Sequence, residues 1–317
     1  MAGEPWTSAC FRGQFVLGDS NLPPYTVSGV TYEDSPYTGT HCREWSEHWM
    51  DWRWAPASAD CATSVLGSHG YYDVCPFIRG RRILYVGDST QFEMFWSMAM
   101  LTGRHRLDRF SWKQSTLAAC NGSTQLSYKR SDHLQEQRKD PGYSVFQWSD
   151  VREYDTLVLN TGIHVQSDEA LMQHAHHLAE RFASMPPNQT IVWRATVPGH
   201  DNCTAATVPL AGVYEPNPAG PYKWHVVARQ NALVASMFDK VVPGRVHFLD
   251  ASALSNSRAD GHIGMKVVDR PPRDVEDCLH YCLPSVVDTW NVLLAKAVLH
   301  RHRTQTRAAS TIRDNKL

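Results

Sequence analysis

The most regular pattern of apolar and polar positions begins at Arg81. Ile83-Leu84-Tyr85-Val86 is a short apolar run that predicts a buried strand, and Phe92 to Leu101 has helical spacing. A polar stretch runs from about 103 to 152. Leu157-Val158-Leu159 predicts the next strand and residues 168–184 a helix; Ile191-Val192-Trp193 predicts a third strand. Residues 223–238 read as a helix, Val246-His247-Phe248-Leu249 as a fourth strand, and Val286 to Leu299 as a final helix. Such alternation predicts an α/β fold, a parallel sheet covered by helices on both faces, with the site beyond the carboxyl ends of its strands. Ser89, Asn160 and Arg194 fall at or just past three of those ends.

Residues 1–78 differ. They are rich in Gly, Pro, Trp, Tyr and Asp, carry half the cysteines and lack helical periodicity. They read as a disulfide-stapled loop-and-strand layer wrapped on a main domain of residues 79–300, with 301–317 as a solvated basic tail.

Composition narrows the function. Lys+Arg (31) nearly balance Asp+Glu (32) in the 317 residues, which removes the electrostatic case for nucleic acid as a partner. Eight cysteines (10, 42, 61, 75, 120, 203, 278, 282) and sequons at Asn121, Asn188 and Asn202 favour an oxidising, secretory compartment over free buried thiols. If Cys203 is bridged and buried, the Asn202 sequon is a poor glycosylation site. No apolar run is long enough to span a membrane, and no signal-peptide pattern opens the chain. Membrane attachment is therefore expected only through an anchor outside this sequence. The 11 tryptophans fit carbohydrate stacking and a Trp-rich core about equally.

Two Gly-Asp-Ser triplets compete for the role of nucleophile. After Gly18-Asp19-Ser20, the prolines at 23 and 24 forbid an immediate helix. Gly87-Asp88-Ser89 lies between a strand and a helix, where a tight turn and helix-start N–H groups can support an oxyanion. Ser89 is thus the candidate nucleophile, with a helix-capping serine as the plain alternative. A serine needs a base, and the base needs an orienting group. His280 and Asp277 are the candidates. The second glycine of G-x-S-x-G is missing after Ser89, which argues against an α/β-hydrolase; the compact D-x-x-H spacing resembles that of SGNH/GDSL-type hydrolases. Cys278 and Cys282 flank His280 with spacing poor for zinc, so they are expected to be disulfide halves and no metal is expected. His174 and His177 share a helix face, either as a metal pair or as solvated side chains.

Further residues carry a family resemblance. Tyr85 to Ser89, Asn160-Thr161-Gly162, Trp193 to His200, Asp250 with Arg258 to His262, and Asp277 to Pro284 with Asp288 to Asn291 follow the order seen in the PC-esterase family. That family includes the trichome-birefringence-like proteins of plants. Cys10, Trp52 to Pro56 and Cys61 extend the resemblance, which covers about residues 8 to 300. It implies an SGNH-like fold and acetyl transfer onto, or removal from, polysaccharide hydroxyls, typically in the Golgi lumen or, failing that, outside the cell. It implies no bound cofactor, only an acetyl donor as co-substrate and a polysaccharide or oligosaccharide acceptor. Asn160 and the Ser89 N–H are the implied oxyanion donors, and Gly122 is a guess for a third. Arg194 is a candidate for positioning substrate or for a structural ion pair, and His164 for the site rim. Arg130-Ser131-Asp132 reads either as groove lining or as a polar loop. Phe92-Glu93-Met94 replaces the plant Arg-Asn-Gln run, and Ile163-His164-Val165 replaces His-Trp-Trp. Both departures argue against carrying xylan over as acceptor and fit a branch outside land plants.

The expected function is an O-acetyltransferase acting through an acyl-serine. An SGNH-type esterase shares the same triad, and a non-catalytic glycan-binding protein is the alternative of another class.

Overall fold

The computed structural model describes residues 10–18, 51–67, 69–103, 111–136, 144–165, 167–269 and 272–299. Ser20, Cys42 and the basic tail lie outside them.

Strand β1 (Gly13–Leu17) pairs antiparallel with β2 (Trp52–Pro56), and Cys10–Cys61 clamps their ends. A short helix α1 (Cys75–Ile78) leads into β3 (Arg82–Gly87) and helix α2 (Ser89–Leu101). Strands β4 (Gln114–Ala119) and β5 (Thr124–Arg130) form a hairpin. There follow β6 (Thr156–Leu159), α3 (Asp168–Ala183), β7 (Thr190–Arg194), α4 (Val227–Val241), β8 (Val246–Leu249) and a short α5 (Ala251–Ser255). The chain closes with the antiparallel pair β9 (His262–Asp269) and β10 (Pro272–Tyr281), then α6 (Val286–Leu293), which continues as a π-helical turn over Leu294–Leu299.

The main sheet runs β4–β5–β3–β6–β7–β8, parallel except for the antiparallel edge strand β4. This is the expected α/β fold with two corrections, one being the antiparallel pair β9–β10, which no predicted strand covered. The polar stretch from 103 to 152 contains the hairpin β4–β5, and β5 is a full partner of β3. Only alternate β5 residues are apolar, Leu126 and Tyr128, and both are fully buried. Ser127 between them is buried too and bonds Thr116 across the hairpin, so a buried hydroxyl hid the strand.

Parallel strands buried on both faces read as continuous apolar runs. In β3, Ile83 and Tyr85 face one layer while Leu84 and Val86 face the other. The first layer holds α2 and α6, the second α3 and α4. Helix α2 is buried from Ser89 to Met100, which suits its apolar residues on every side. Its contact with α6 is also polar. Ser97 donates to Asp288 (2.7 Å), and Asn291 donates to the Met94 carbonyl (2.8 Å). The Asp288 to Asn291 motif therefore locks the last helix onto the helix that begins with Ser89.

The amino-terminal pair shares the first core layer: Phe15 and Trp54 belong to the same cluster as Tyr85 and Trp290. Lys296 donates to the carbonyls of Leu66 and Gly70, and the Arg258 guanidinium, paired with Asp260, lies 4.6 Å from the Phe15 ring. Six of the tryptophans (54, 96, 148, 193, 224, 290) are buried, so most of the Trp content is core. Asn121 and Asn188 are exposed, whereas Asn202 precedes a bridged, buried Cys203. No helix among the described residues is long and apolar enough to cross a membrane.

Cys75–Cys120 ties α1 to the β4–β5 turn at the amino-terminal edge of the sheet, closing a span of 45 residues. Removing it with Cys75→Ser and Cys120→Ser should lower unfolding stability by roughly 2–4 kcal/mol. A denaturant titration measures that loss. Because this bridge lies at the opposite edge from Ser89, activity below the melting transition should be unchanged.

Candidate active site

The turn after β3 is built around close approach. A Cβ on Gly87 would lie 2.9 Å from the Asn160 carbonyl, so only glycine lets the β3 and β6 ends converge there. Asp88 then caps α2. Its Oδ1 accepts from the Thr90 and Gln91 N–H groups and from the Thr90 hydroxyl. The cap leaves Ser89 at the first helical position, and its N–H has no partner among the described residues.

Asp277 and His280 come from a bulge in β10. Asp277 pairs with Gly264 and Tyr281 with His262, so four residues of β10 face a stretch where β9 advances by two. The extra residues bring positions 277 and 280, which a regular strand would send to opposite faces, onto one side. Asp277 Oδ1 accepts from the Leu279 N–H (3.3 Å) and the His280 N–H (3.1 Å), so the carboxylate folds the bulge around itself. His280 Nδ1 lies 3.0 Å from both Asp277 oxygens, and His280 Nε2 lies 2.8 Å from Ser89 Oγ. The structure thus brings together Ser89, His280 and Asp277.

Cys278 is bridged to Cys203, and Cys282 is also disulfide-bonded. Their sulfurs cannot act as thiolate ligands, so a metal reading of the cysteines around His280 fails. His174 and His177 differ in exposure. His174 is partly buried, with burial pulling its imidazole down to about 4, while His177 is exposed beside Glu180.

Asn160 stands at the end of β6, fully buried, and its amide donates to the Arg194 carbonyl (3.2 Å). Its Oδ1 has no hydrogen-bond partner among the described residues. Gly122 is misplaced as a third oxyanion donor: it sits in the β4–β5 turn, where Ser123 accepts from the Gly80 N–H ahead of β3. Parallel strands put that turn at the far edge of the sheet from Ser89.

Arg194 requires a correction. A substrate-binding role needs an exposed guanidinium, and this one is wholly buried. It donates to Thr90 Oγ1 (2.6 Å), Gln91 Oε1 (2.9 Å) and the Ala195 carbonyl (3.0 Å). Asp88 lies 3.8 Å away and Trp290 packs beneath it. Burial draws Arg194 down to about 10, against the pull of Asp88 and Glu93. Burial also opposes ionisation of Asp88, but Arg194, His164 and the Thr90 hydroxyl outweigh it and hold the carboxyl below its usual range. Arg194 is the internal brace of the Ser89 turn.

His164 is half-exposed at the rim, 3.7 Å from Asp132. Asp132 pairs with Arg130, whose guanidinium covers the exposed Trp112 ring, and the Ser131 N–H donates to the Gly87 carbonyl (2.9 Å). Residues 130–132 therefore flank the Ser89 turn. Beside His280 opens a cavity of about 530 Å³, lined among others by Asp201, Trp224, Glu276 and Leu279.

Sequence reasoning assigned no role to a histidine pair behind the site. His262 Nδ1 lies 3.0 Å from the His280 carbonyl, His262 Nε2 lies 2.7 Å from His200 Nδ1, and His200 Nε2 lies 2.9 Å from the Asn256 carbonyl. Donating to both carbonyls leaves the contact between the rings in need of a third proton. Burial opposes that extra charge in both rings, while Asp260 favours it at His200 and Asp277 at His262. No local spacing signals this pair, since its members are 62 residues apart.

Residues 147–297 match the family model described as "PC-Esterase: GDSL/SGNH-like Acyl-Esterase family found in Pmr5 and Cas1p". That segment contains Asn160, Arg194, Asp277 and His280, and Ser89 precedes it. The chain is 23% identical over 349 residues to Protein trichome birefringence-like 6 of Arabidopsis thaliana, covering 92% of this chain and 70% of that protein. It is 22% identical over 361 residues to Xylan O-acetyltransferase 6 of Oryza sativa subsp. japonica (93% and 63% covered). Against Xylan O-acetyltransferase 2 of the same plant the identity is 23% over 367 residues (94% and 70%). Residues 147–297 are thus similar to the PC-esterase family, and the chain is similar over most of its length to trichome-birefringence-like proteins and xylan O-acetyltransferases.

Proposed function

We propose that this protein is an O-acetyltransferase that moves an acetyl group to a glycan hydroxyl through an acetyl-serine. The observation that carries the reading is the hydrogen-bonded line Ser89–His280–Asp277, with contacts of 2.8 and 3.0 Å. Ser89 Oγ attacks the carbonyl carbon of the acetyl donor while His280 Nε2 takes its proton. Asp277 holds Nδ1–H and balances the imidazolium charge. The oxyanion is received by the Ser89 N–H and the Asn160 amide, both at the carboxyl edge of the sheet. Collapse breaks the bond to the leaving group, which departs with the proton from His280. A sugar hydroxyl then gives its proton to His280 and attacks the acetyl carbon; the ester bond to Ser89 breaks and His280 returns the proton to Ser89 Oγ.

The acceptor enters, on this reading, through the cavity beside His280, where Trp224, Asp201 and Glu276 offer an aromatic wall and hydrogen-bond acceptors. His164, Arg130 and Trp112 cluster around Asp132 beside the Ser89 turn and are the second candidate contact surface for the acceptor. The disulfides support an oxidising, secretory compartment. We place the protein in the Golgi lumen, with the extracellular space as the alternative. The family description as acyl-esterases favours hydrolysis as a second reading, in which water replaces the sugar hydroxyl.

Incubation with p-nitrophenyl acetate, with and without neutral oligosaccharides, separates the two. Transfer predicts acetylated oligosaccharide by mass spectrometry and faster nitrophenol release when acceptor is added. Release that no glycan alters, with no acetylated product, would favour the esterase. Ser89→Ala should lower the rate by at least roughly 10³-fold. Full activity in that variant would sink the mechanism.

Asn160→Ala should lower kcat by about 10²–10³-fold with the protein still folded, as expected for an oxyanion donor. An unchanged kcat would remove Asn160 from that role. Asp277→Asn should lower kcat by roughly 10²–10⁴-fold, because the amide can set the wrong imidazole tautomer. Steady-state kinetics on the purified variants measures both.

A further inference from the structure

Glu93 lies one turn beyond Ser89 on α2, and its side chain is wholly buried. It can touch neither donor nor acceptor, and none of the steps above uses it. A carboxyl group in such a place is unfavourable unless it is paired or neutral. Its Oε1 accepts the backbone N–H of Tyr281 at 2.7 Å. Tyr281 directly follows His280 and is the residue at which β10 rejoins β9 after the bulge. Its ring stacks on His262 at 4.1 Å and meets Trp290 edge-on at 5.9 Å, so the backbone there has little freedom. One bond therefore ties the helix that presents Ser89 to the strand residue next to His280, 188 positions away.

We propose that Glu93 is a positioning residue that sets His280 against Ser89 by accepting the Tyr281 N–H. This role rests on the acyl-transfer reading of the site. Hydrogen-bond distance between nucleophile and base is sensitive to small shifts, and an error of 1 Å can lower a rate about 10²-fold. Within the bulge, Asp277 fixes the carboxylate-to-imidazole geometry. Glu93 fixes the whole bulge relative to α2.

The surrounding charges explain why an acid can serve here. Asp88 at the start of α2, Asp277 in β10 and Arg194 at the end of β7 are the charged groups acting on it, and Arg194 already faces Asp88. Burial, then Asp277 and Asp88, push Glu93 well above the ordinary glutamate range, against the Tyr281 N–H and Arg194. As a neutral acid it receives the N–H without adding another negative charge beside Asp277. The folded protein thus holds a proton that the unfolded chain releases. Its stability contribution is complete below the ordinary value of about 4.5 and is lost as pH rises toward the raised one.

The test is the rate at which a fluorophosphonate labels Ser89, which reports nucleophile activation without any choice of donor or glycan. Wild-type protein should label and Ser89→Ala should not. Glu93→Gln keeps an acceptor oxygen for Tyr281 and should label within about twofold of wild type, whereas Glu93→Ala should label about 10²-fold more slowly. Because it cannot ionise, Glu93→Gln should also melt at a higher temperature than wild type at about pH 8 and lose that advantage near pH 4. Equal labelling of wild type and a folded Glu93→Ala would overturn the positioning role and leave the acyl-transfer reading standing. Slow labelling of Glu93→Gln would overturn it too, and this variant decides the matter if Glu93→Ala fails to fold. A wild-type protein that does not label would instead overturn the nucleophile itself, and the positioning role with it.

Discussion

The site depends on one long-range contact, the hydrogen bond between the first residue of α2 and a histidine in the bulge of β10, 191 residues apart in the chain. Neither partner can shift freely. The start of α2 is fixed by the Asp88 cap, and behind that cap stands Arg194, which reaches Thr90, Gln91 and Asp88 from the end of a strand two places away in the sheet. The bulge is fixed from within by Asp277 and from outside by the Cys203–Cys278 bridge. Buried polar groups that are paired in this way favour one geometry, because a departure breaks charge-assisted bonds in a low-dielectric interior. That requirement explains why so many of the motif residues turn out to be braces.

Much of this organisation was legible in the chain. Apolar runs at 83–86, 157–159 and 191–193 marked three of the five parallel strands because strands buried on both faces have to be apolar at successive positions, and 246–249 marked the half-buried edge strand β8. Ser89 was separable from Ser20 by chemistry alone: one serine precedes a helix and the other precedes two prolines. The spacing of Asp277 and His280 pointed to a linked pair, and the structure brings both side chains together with Ser89. The cysteines around His280 pointed to a brace by elimination, and Cys278 is bridged as that reasoning expected.

What was not legible has physical causes. Strand β5 places Ser127 in the interior, where the Thr116 hydroxyl partners it, so the alternation on which strand prediction rests was blurred. Arg194 carried two readings, substrate ligand by the family resemblance and structural ion pair; its donors turn inward, and only the acceptors supplied by a distant helix decide for the second. The pairing of His200 with His262, and of Glu93 with Tyr281, depends on elements that meet only in the tertiary structure. No local periodicity marks a residue whose partner lies tens to hundreds of positions away. Disulfide connectivity is the same kind of fact.

The family match and the geometry bear on different parts of the account. The family match covers residues 147–297 and speaks to acyl-ester chemistry; the geometry speaks to which atoms are placed to carry it. They meet in the proposed acetyl-serine. The most direct measurement is to mix the protein with an acetyl donor, quench within the first turnover and locate the acetyl group by peptide mass spectrometry. The account predicts one acetyl group on the peptide that carries Ser89, accumulating when acceptor is withheld and discharged when it is supplied. Turnover with no acetyl group on that peptide, or an acetyl group lodged on another residue and discharged at the catalytic rate, would contradict it.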